Sequence, residues 1–277
     1  MDADNSGILS GRNSMLKGRK ALVIGGTGGI GRAVVLGLTN RGVAVTIHGR
    51  SETKVGALVR SVNAAGGTAA SFVHEIVDLD RFMAAVADLG TQAEPRGGSS
   101  PDATGTSRTP ETFDIVVVAY GPFVQKPLAK HTRADWQTMA LMNLALPGAL
   151  ASWFLPPMME RHFGRFLFFG GTKTDAIRAY RSNAAYAAAK TALGVVAKSI
   201  AAEGASRDVA AVVVCPGIVD TEYLSGERRD TAVRSTQNGE LLAPRAIAEA
   251  ALSLLEAEPC VASGAVVSLD AGLTSWT

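Results

Sequence analysis

Residues 21–38 read ALVIGGTGGIGRAVVLGL, from Ala21 to Leu38. The apolar run ALVIG is a strand, and the apolar residues beyond the glycines recur as on a helix that begins near Ile30. Between them Gly25, Gly26, Gly28, Gly29 and Gly31 crowd into seven positions (25–31) with Thr27 and Ile30. Glycine allows a sharp strand-to-helix turn and close approach of another group to the backbone. The helix start then offers free amides and a partial positive charge, which together suit a pyrophosphate. Two spacings fit, Gly26-x-Gly28-x-x-Gly31 and Gly25-x-x-x-Gly29-x-Gly31, and either alone also describes a plain tight turn.

Outward from this loop, strand-like runs recur at 43–48, 69–74, 114–119, 165–170, 209–215 and 265–270. Several are continuously apolar rather than alternating, as expected of parallel strands covered on both faces. Stretches of helical length separate them: Gly31–Arg41, Thr53–Ala65, Leu79–Leu89, Arg133–Arg161, Asn183–Gly204 and Pro244–Glu256. The alternation predicts an α/β doubly wound parallel sheet, a Rossmann fold in a single domain. Residues 1–17 read as a loose tail before a domain of 18–277. Residues 90–110, nearly all Gly, Pro, Ser, Thr and charge, read as a mobile surface insertion.

The 277 residues carry 27 Lys and Arg against 25 Asp and Glu, for a net charge of +2. So balanced a surface gives no field for nucleic acid or an anionic membrane. The N-terminus lacks the apolar stretch of a signal peptide, and the nearest approach to a bilayer span, Ala184 to Ala205, carries Lys190, Lys198 and Glu203. With only Cys215 and Cys260, both in apolar surroundings, no disulfide framework is expected. A cytoplasmic location follows as the expectation. No metal site is read.

Strand two ends His48-Gly49-Arg50-Ser51. A carboxylate for ribose hydroxyls, expected about 20 residues past the first glycine in NAD sites, is missing there. Arg50 offers a planar fork of donors and Ser51 a hydroxyl, a pairing suited to a phosphate monoester, so NADP(H) is the preferred cofactor. Arg50 as a merely solvated loop residue is the competing reading. His48 is placed to reach the adenine ribose.

Tyr186 has a lysine, Lys190, four residues on, and positions i and i+4 share a helix face. An ammonium beside a phenol favours the phenolate, so the pair can move a proton. With the glycine loop and this pair in place, the chain resembles the short-chain dehydrogenase/reductase family from about Lys20 to Gly272. Asn143, the run Pro216-Gly217-Ile218-Val219-Asp220-Thr221 and the closing GAVVSLDAG extend the resemblance. It implies that Tyr186 is the general acid at a carbonyl oxygen and that Lys190 lowers its pKa and binds the nicotinamide ribose. Asn143 would hold a water linking that lysine to solvent. It further implies that Pro216, Gly217, Val219 and Thr221 hold the nicotinamide carboxamide, that Gly121 borders the cofactor, and that Glu75, with Ile76 beside it, meets the adenine. Thr221 is also compatible with capping a helix ahead of Glu222.

The chain departs from the family in two places. Val118-Ala119-Tyr120-Gly121 stands where Asn-Asn-Ala-Gly is usual, with Tyr120 either stacking near the adenosine or filling space. At the end of strand five, Gly171 falls where a serine polarises the carbonyl. Thr172 is the expected surrogate, with Thr174 the alternative, since losing such a donor costs about 3–4 kcal/mol of transition-state stabilisation. The substrate pocket is expected between Thr172–Asn183, Phe123–Lys126 and Tyr223–Leu242, near the basic Lys173, Arg178 and Arg181.

The function expected is therefore NADPH-dependent reduction of a small-molecule ketone, aldehyde or 3-oxoacyl group. The alternative is a weakly active or non-catalytic NADP(H)-binding sensor or scaffold. The Ala-rich helix 183–204 is apolar on nearly every side and is expected to pack against another copy, in a homotetramer or homodimer.

Overall fold

Continuous apolar runs become fully buried strands. A computed structural model describes residues 14–89, 112–237 and 239–272; the 90–110 insertion and most of the expected tail lie outside the described residues. Seven strands form one sheet: β1 (Lys20–Ile24), β2 (Ala44–Gly49), β3 (Ala69–Val73), β4 (Ile115–Val118), β5 (Gly164–Phe169), β6 (Val209–Pro216) and β7 (Val266–Leu269). Their order is β3-β2-β1-β4-β5-β6-β7, every pair parallel, with Val23 opposite Val117 and Phe168 opposite Val213. Chain order reverses between β1 and β4, which opens a crevice beyond the carboxyl ends of those strands.

Successive side chains of a strand feed opposite faces. Ala21 and Val23 join the core shared with α1 (Gly29–Asn40), α2 (Glu52–Ala64) and α8 (Pro244–Ser253), whereas Leu22 and Ile24 join that shared with α3 (Leu79–Asp88), α5 (Leu146–Glu160) and α6 (Ala184–Gly204). The sheet thus carries a core on each face, and the continuously buried β4, β5 and β6 contribute to both. Edge strand β3 instead exposes three of its five residues.

Arg165 is a buried exception within β5. Its guanidinium reaches both carboxylate oxygens of Asp208, at 3.1 and 2.9 Å, and the carbonyls of Gly164, Asp208, Leu255 and Ala257. Those partners satisfy a charge that would otherwise be costly to bury.

Four sequence expectations need correcting. The ordered domain reaches back into the expected tail: Leu16 is fully buried and the Ser14 hydroxyl donates to Glu256. The expected helix Arg133–Arg161 comprises α4 (Arg133–Ala140) and α5, joined by a π turn over Leu141–Ala145. That segment, Arg133–Glu160, and not 184–205, is the one among the described residues long and apolar enough by length and composition to cross a membrane. In this fold Leu146, Leu150, Phe154 and Met158 make it a core helix against the sheet. Finally, a short helix α7 (Glu227–Arg234) follows Gly226, so Thr221 caps no helix; its carbonyl accepts from Leu224 in a turn.

Candidate active site

The glycine loop closes over the carboxyl end of β1. Gly25 has φ +80°, and a Cβ there would stand 2.9 Å from the Tyr120 Cβ. A Cβ on Gly31 would stand 2.1 Å from the Gly25 carbonyl oxygen, so this turn needs glycine at both ends. His48 holds the loop from below. It is fully buried, its Nδ1 accepts from the Gly25 N–H at 3.2 Å, and its Nε2 lies 3.0 Å from the His74 carbonyl. That pattern requires the neutral Nε2–H tautomer, and burial lowers the pKa to about 4. The expectation that His48 reaches the ribose is thereby corrected: both ring nitrogens are engaged within the protein. Tyr120 meets the His48 ring edge-on, with centroids 6.3 Å apart.

Arg50 is exposed at the end of β2, without an ion-pair partner among the described residues. The Ser51 oxygen caps α2 by accepting from the Lys54 N–H at 3.4 Å, which leaves its own hydrogen free to be donated. Thr27 packs its methyl under Gly49, where a Cβ would come within 2.7 Å. Beyond β3, Glu75 is exposed and Ile76 is buried.

Across the crevice, α6 carries Tyr186 and Lys190 to the carboxyl end of β5. Lys190 Nζ donates to the Phe169 carbonyl at 2.7 Å and lies 5.9 Å from the centre of the Tyr186 ring. Burial lowers its pKa to about 8, while burial pushes the Tyr186 phenol well above its usual value. At neutral pH the phenol is thus held protonated beside a cation, ready to donate. Phe123 meets the Tyr186 ring edge-on at 4.9 Å, a contact the sequence did not announce.

Asn143 sits in the π turn and is fully buried; its Nδ2 donates to the Pro122 carbonyl at 3.2 Å, and its Oδ1 has no partner. A Cβ on Gly121 would stand 2.0 Å from that Oδ1 and 3.4 Å from Lys190 Nζ, so Gly121, Asn143 and Lys190 converge. An unpaired buried acceptor near an ammonium suits an ordered water.

The strand-five loop turns both candidate serine surrogates toward backbone partners. The Thr172 hydroxyl donates to the Gly217 carbonyl at 3.4 Å. The Thr174 hydroxyl accepts from the Gly171 N–H at 2.8 Å and donates to the Gly171 carbonyl at 2.9 Å. Both are directed at backbone, and bare Gly171 lies against Tyr186. Nearby, the Lys126 N–H donates to the Ser182 carbonyl at 2.6 Å and joins two of the expected pocket segments. Arg178 pairs with Asp175 at 3.2 Å, which offsets part of the basic loop.

After β6, the Gly217 N–H donates to the Leu269 carbonyl, and the Val219 side chain is buried. The bridge to Leu242 uses Ile218 and Asp220, leaving the Val219 N–H and carbonyl outside it. From Pro216 the chain runs to Thr221, whose methyl would lie 3.1 Å from a Cβ on Gly29. The segment thus spans from the end of β6 to the glycine loop. Glu222 and Tyr223 lie on that loop too, a placement the sequence does not announce. Cys215 and Cys260 are free and buried, as expected.

Comparison with known proteins agrees with this geometry. Residues 19–95 match the family model described as short chain dehydrogenase, and residues 103–274 match that described as enoyl-(acyl carrier protein) reductase. A 3-oxoacyl acyl-carrier-protein reductase of Vibrio cholerae is 28% identical over 93% of this chain and 98% of its own length. Nodulation protein G of a Rhizobium strain is 26% identical over the same shares. Among solved structures, a 3-oxoacyl acyl-carrier-protein reductase from Agrobacterium tumefaciens with NADP bound is 26% identical, with a TM-score of 0.78 over 92% of this chain and 94% of that one. A Brucella melitensis protein at 22% identity reaches a TM-score of 0.81 over 100% and 99%, which speaks to the fold.

Proposed function

Because the chain belongs to the short-chain dehydrogenase/reductase family and is an oxidoreductase of nicotinamide type, we propose that it reduces a carbonyl to an alcohol with NADPH. The observation that carries the reading is the convergence of Tyr186, Lys190, Asn143 and Gly121 across the crevice from the glycine loop. The tight glycine turn leading into α1, whose first turn carries no acidic residue and no side-chain cap of its own, and the unpaired Asn143 Oδ1 fit a bound dinucleotide. Gly25, Thr27, Gly28, Gly29, Ile30 and Gly31 would hold its pyrophosphate, Arg50 and Ser51 a 2′-phosphate, Glu75 and Ile76 the adenine, and Pro216 to Thr221 the carboxamide.

When bound, the nicotinamide supplies or accepts the hydride. Tyr186 then delivers the proton to the carbonyl oxygen, and its raised pKa keeps that proton in place until negative charge develops there. Lys190 stands as the cation behind it, held by the Phe169 carbonyl, and Asn143 offers the acceptor for a replenishing water. Gly171 contributes no hydroxyl, so the oxyanion is met by Tyr186 without the usual second side-chain donor. NADPH is favoured over NADH by Arg50, by the lack of a carboxylate at Gly49 or Arg50, and by the NADP bound to the Agrobacterium relative.

Gly171 also motivates a second reading, a slow enzyme or dinucleotide-binding sensor. NADPH consumption with ketones, diketones, quinones and 3-oxoacyl thioesters separates the two. Turnover on any class supports the reductase, and binding without turnover on all of them supports the sensor. The cleft between α5 and α6, about 770 Å³ and lined by Ala151, Leu155, Met159, Val195, Val196 and Ile200, supports pairing of copies through this face. A monomeric mass by light scattering would contradict that assembly. Two free buried thiols fit a reducing cytoplasm.

A further inference from the structure

The amide end of α1 is occupied by the chain itself. The Gly29 N–H donates to both carboxylate oxygens of Glu222, at 3.2 and 3.1 Å. A Cβ on Gly28 would stand 2.1 Å from Glu222 Oε1 and 2.5 Å from the Tyr223 hydroxyl. With the Thr221 methyl against Gly29, residues 221–223 fill the space that the two missing side chains leave.

The physical reason lies in α1, which has no acidic residue in its first turn and no side-chain cap of its own. Its first amides and the positive end of its dipole attract any oxyanion, whether carboxylate or phosphate. Glu222 supplies one from 193 residues away. The same carboxylate borders a cleft of about 460 Å³ that Arg32 and Arg245 also line. Both arginines are exposed and lack ion-pair partners among the described residues, so a Glu222 that leaves Gly29 has a second place to go.

We infer that Glu222 is an internal occupant of the pyrophosphate cradle, and that it sets the affinity for the dinucleotide by competing for the amides at Gly28–Gly29. The inference rests on the glycine loop being the dinucleotide site. Only molecules with residues 221–223 displaced can accept the pyrophosphate, and the apparent dissociation constant rises in inverse proportion to that fraction. Since Thr221 moves with Glu222, filling the cradle also resets the segment leading to α7.

The test is titration of the full chain with NADPH, followed by its fluorescence, for wild type, Glu222→Gln and Glu222→Ala, with melting curves of each without ligand. Glu222→Ala is expected to bind about 3- to 10-fold more tightly, with Glu222→Gln between, because a neutral amide oxygen still accepts from Gly29 but lacks the charge. The ligand-free melting temperature of Glu222→Ala is expected to fall as α1 loses its cap. Equal or weaker binding in the variants, with NADPH bound by all three, overturns the inference and leaves the cofactor site standing. No binding by any of the three overturns the dinucleotide reading, and the inference with it.

Discussion

A Cβ on Gly171 would lie 2.6 Å from Tyr186 Cε1 and 3.0 Å from its hydroxyl oxygen. A side chain at 171 and the present seat of Tyr186 therefore exclude each other. Restoring a hydroxyl with Gly171→Ser is expected to push the ring aside, to lower the melting temperature through overpacking of about 1–3 kcal/mol, and to reduce kcat. Gly171→Ala is expected to lose stability similarly. A higher kcat in the serine variant would show that the tyrosine yields readily and that the missing donor limits the enzyme.

Lys190 links the site to stability. Burial lowers its pKa from 10.5 to about 8, so between those values the unfolded chain binds more protons than the folded one. Stability from this group therefore rises with pH across that window, by about 3 kcal/mol in all, and below pH 8 the full cost of burying the ammonium is felt. Melting curves of wild type and Lys190→Met should converge or cross in favour of wild type as pH rises from 8 to 10.5. Curves that stay parallel would contradict the assignment.

Arg50 tests the cofactor preference. Arg50→Asp places a carboxylate where a 2′-phosphate would sit and is expected to weaken NADPH at least tenfold more than NADH, on the scale of a lost charge-assisted contact. Titration of both dinucleotides decides it, and equal losses would remove Arg50 from the phosphate site.

The sheet was legible because its strands are continuous apolar runs and its first turn is marked by glycines; Tyr186 and Lys190 were legible because helical spacing unites them. What stayed hidden depends on contacts between distant parts of the chain. A histidine at a strand end looks free for ligand until the fold shows Gly25 and His74 on its two nitrogens. Arg165 breaks an apolar strand, and only the approach of Asp208, Leu255 and Ala257 explains how. Spacing cannot reveal the extra residue that makes the π turn around Asn143, nor which way Thr172 and Thr174 turn in a loop. Composition alone likewise leaves the uncharged stretch from Trp136 to Met159 looking like a membrane segment, although the sheet covers one of its faces.

The central claim is that Tyr186 gives the proton at a carbonyl while the dinucleotide is held elsewhere. The most direct measurement compares wild type and Tyr186→Phe with a carbonyl substrate found in the NADPH panel, recording both turnover and the NADPH dissociation constant. The account predicts a loss of roughly 100- to 10,000-fold in kcat with NADPH binding nearly unchanged. Undiminished turnover in the phenylalanine variant would contradict it.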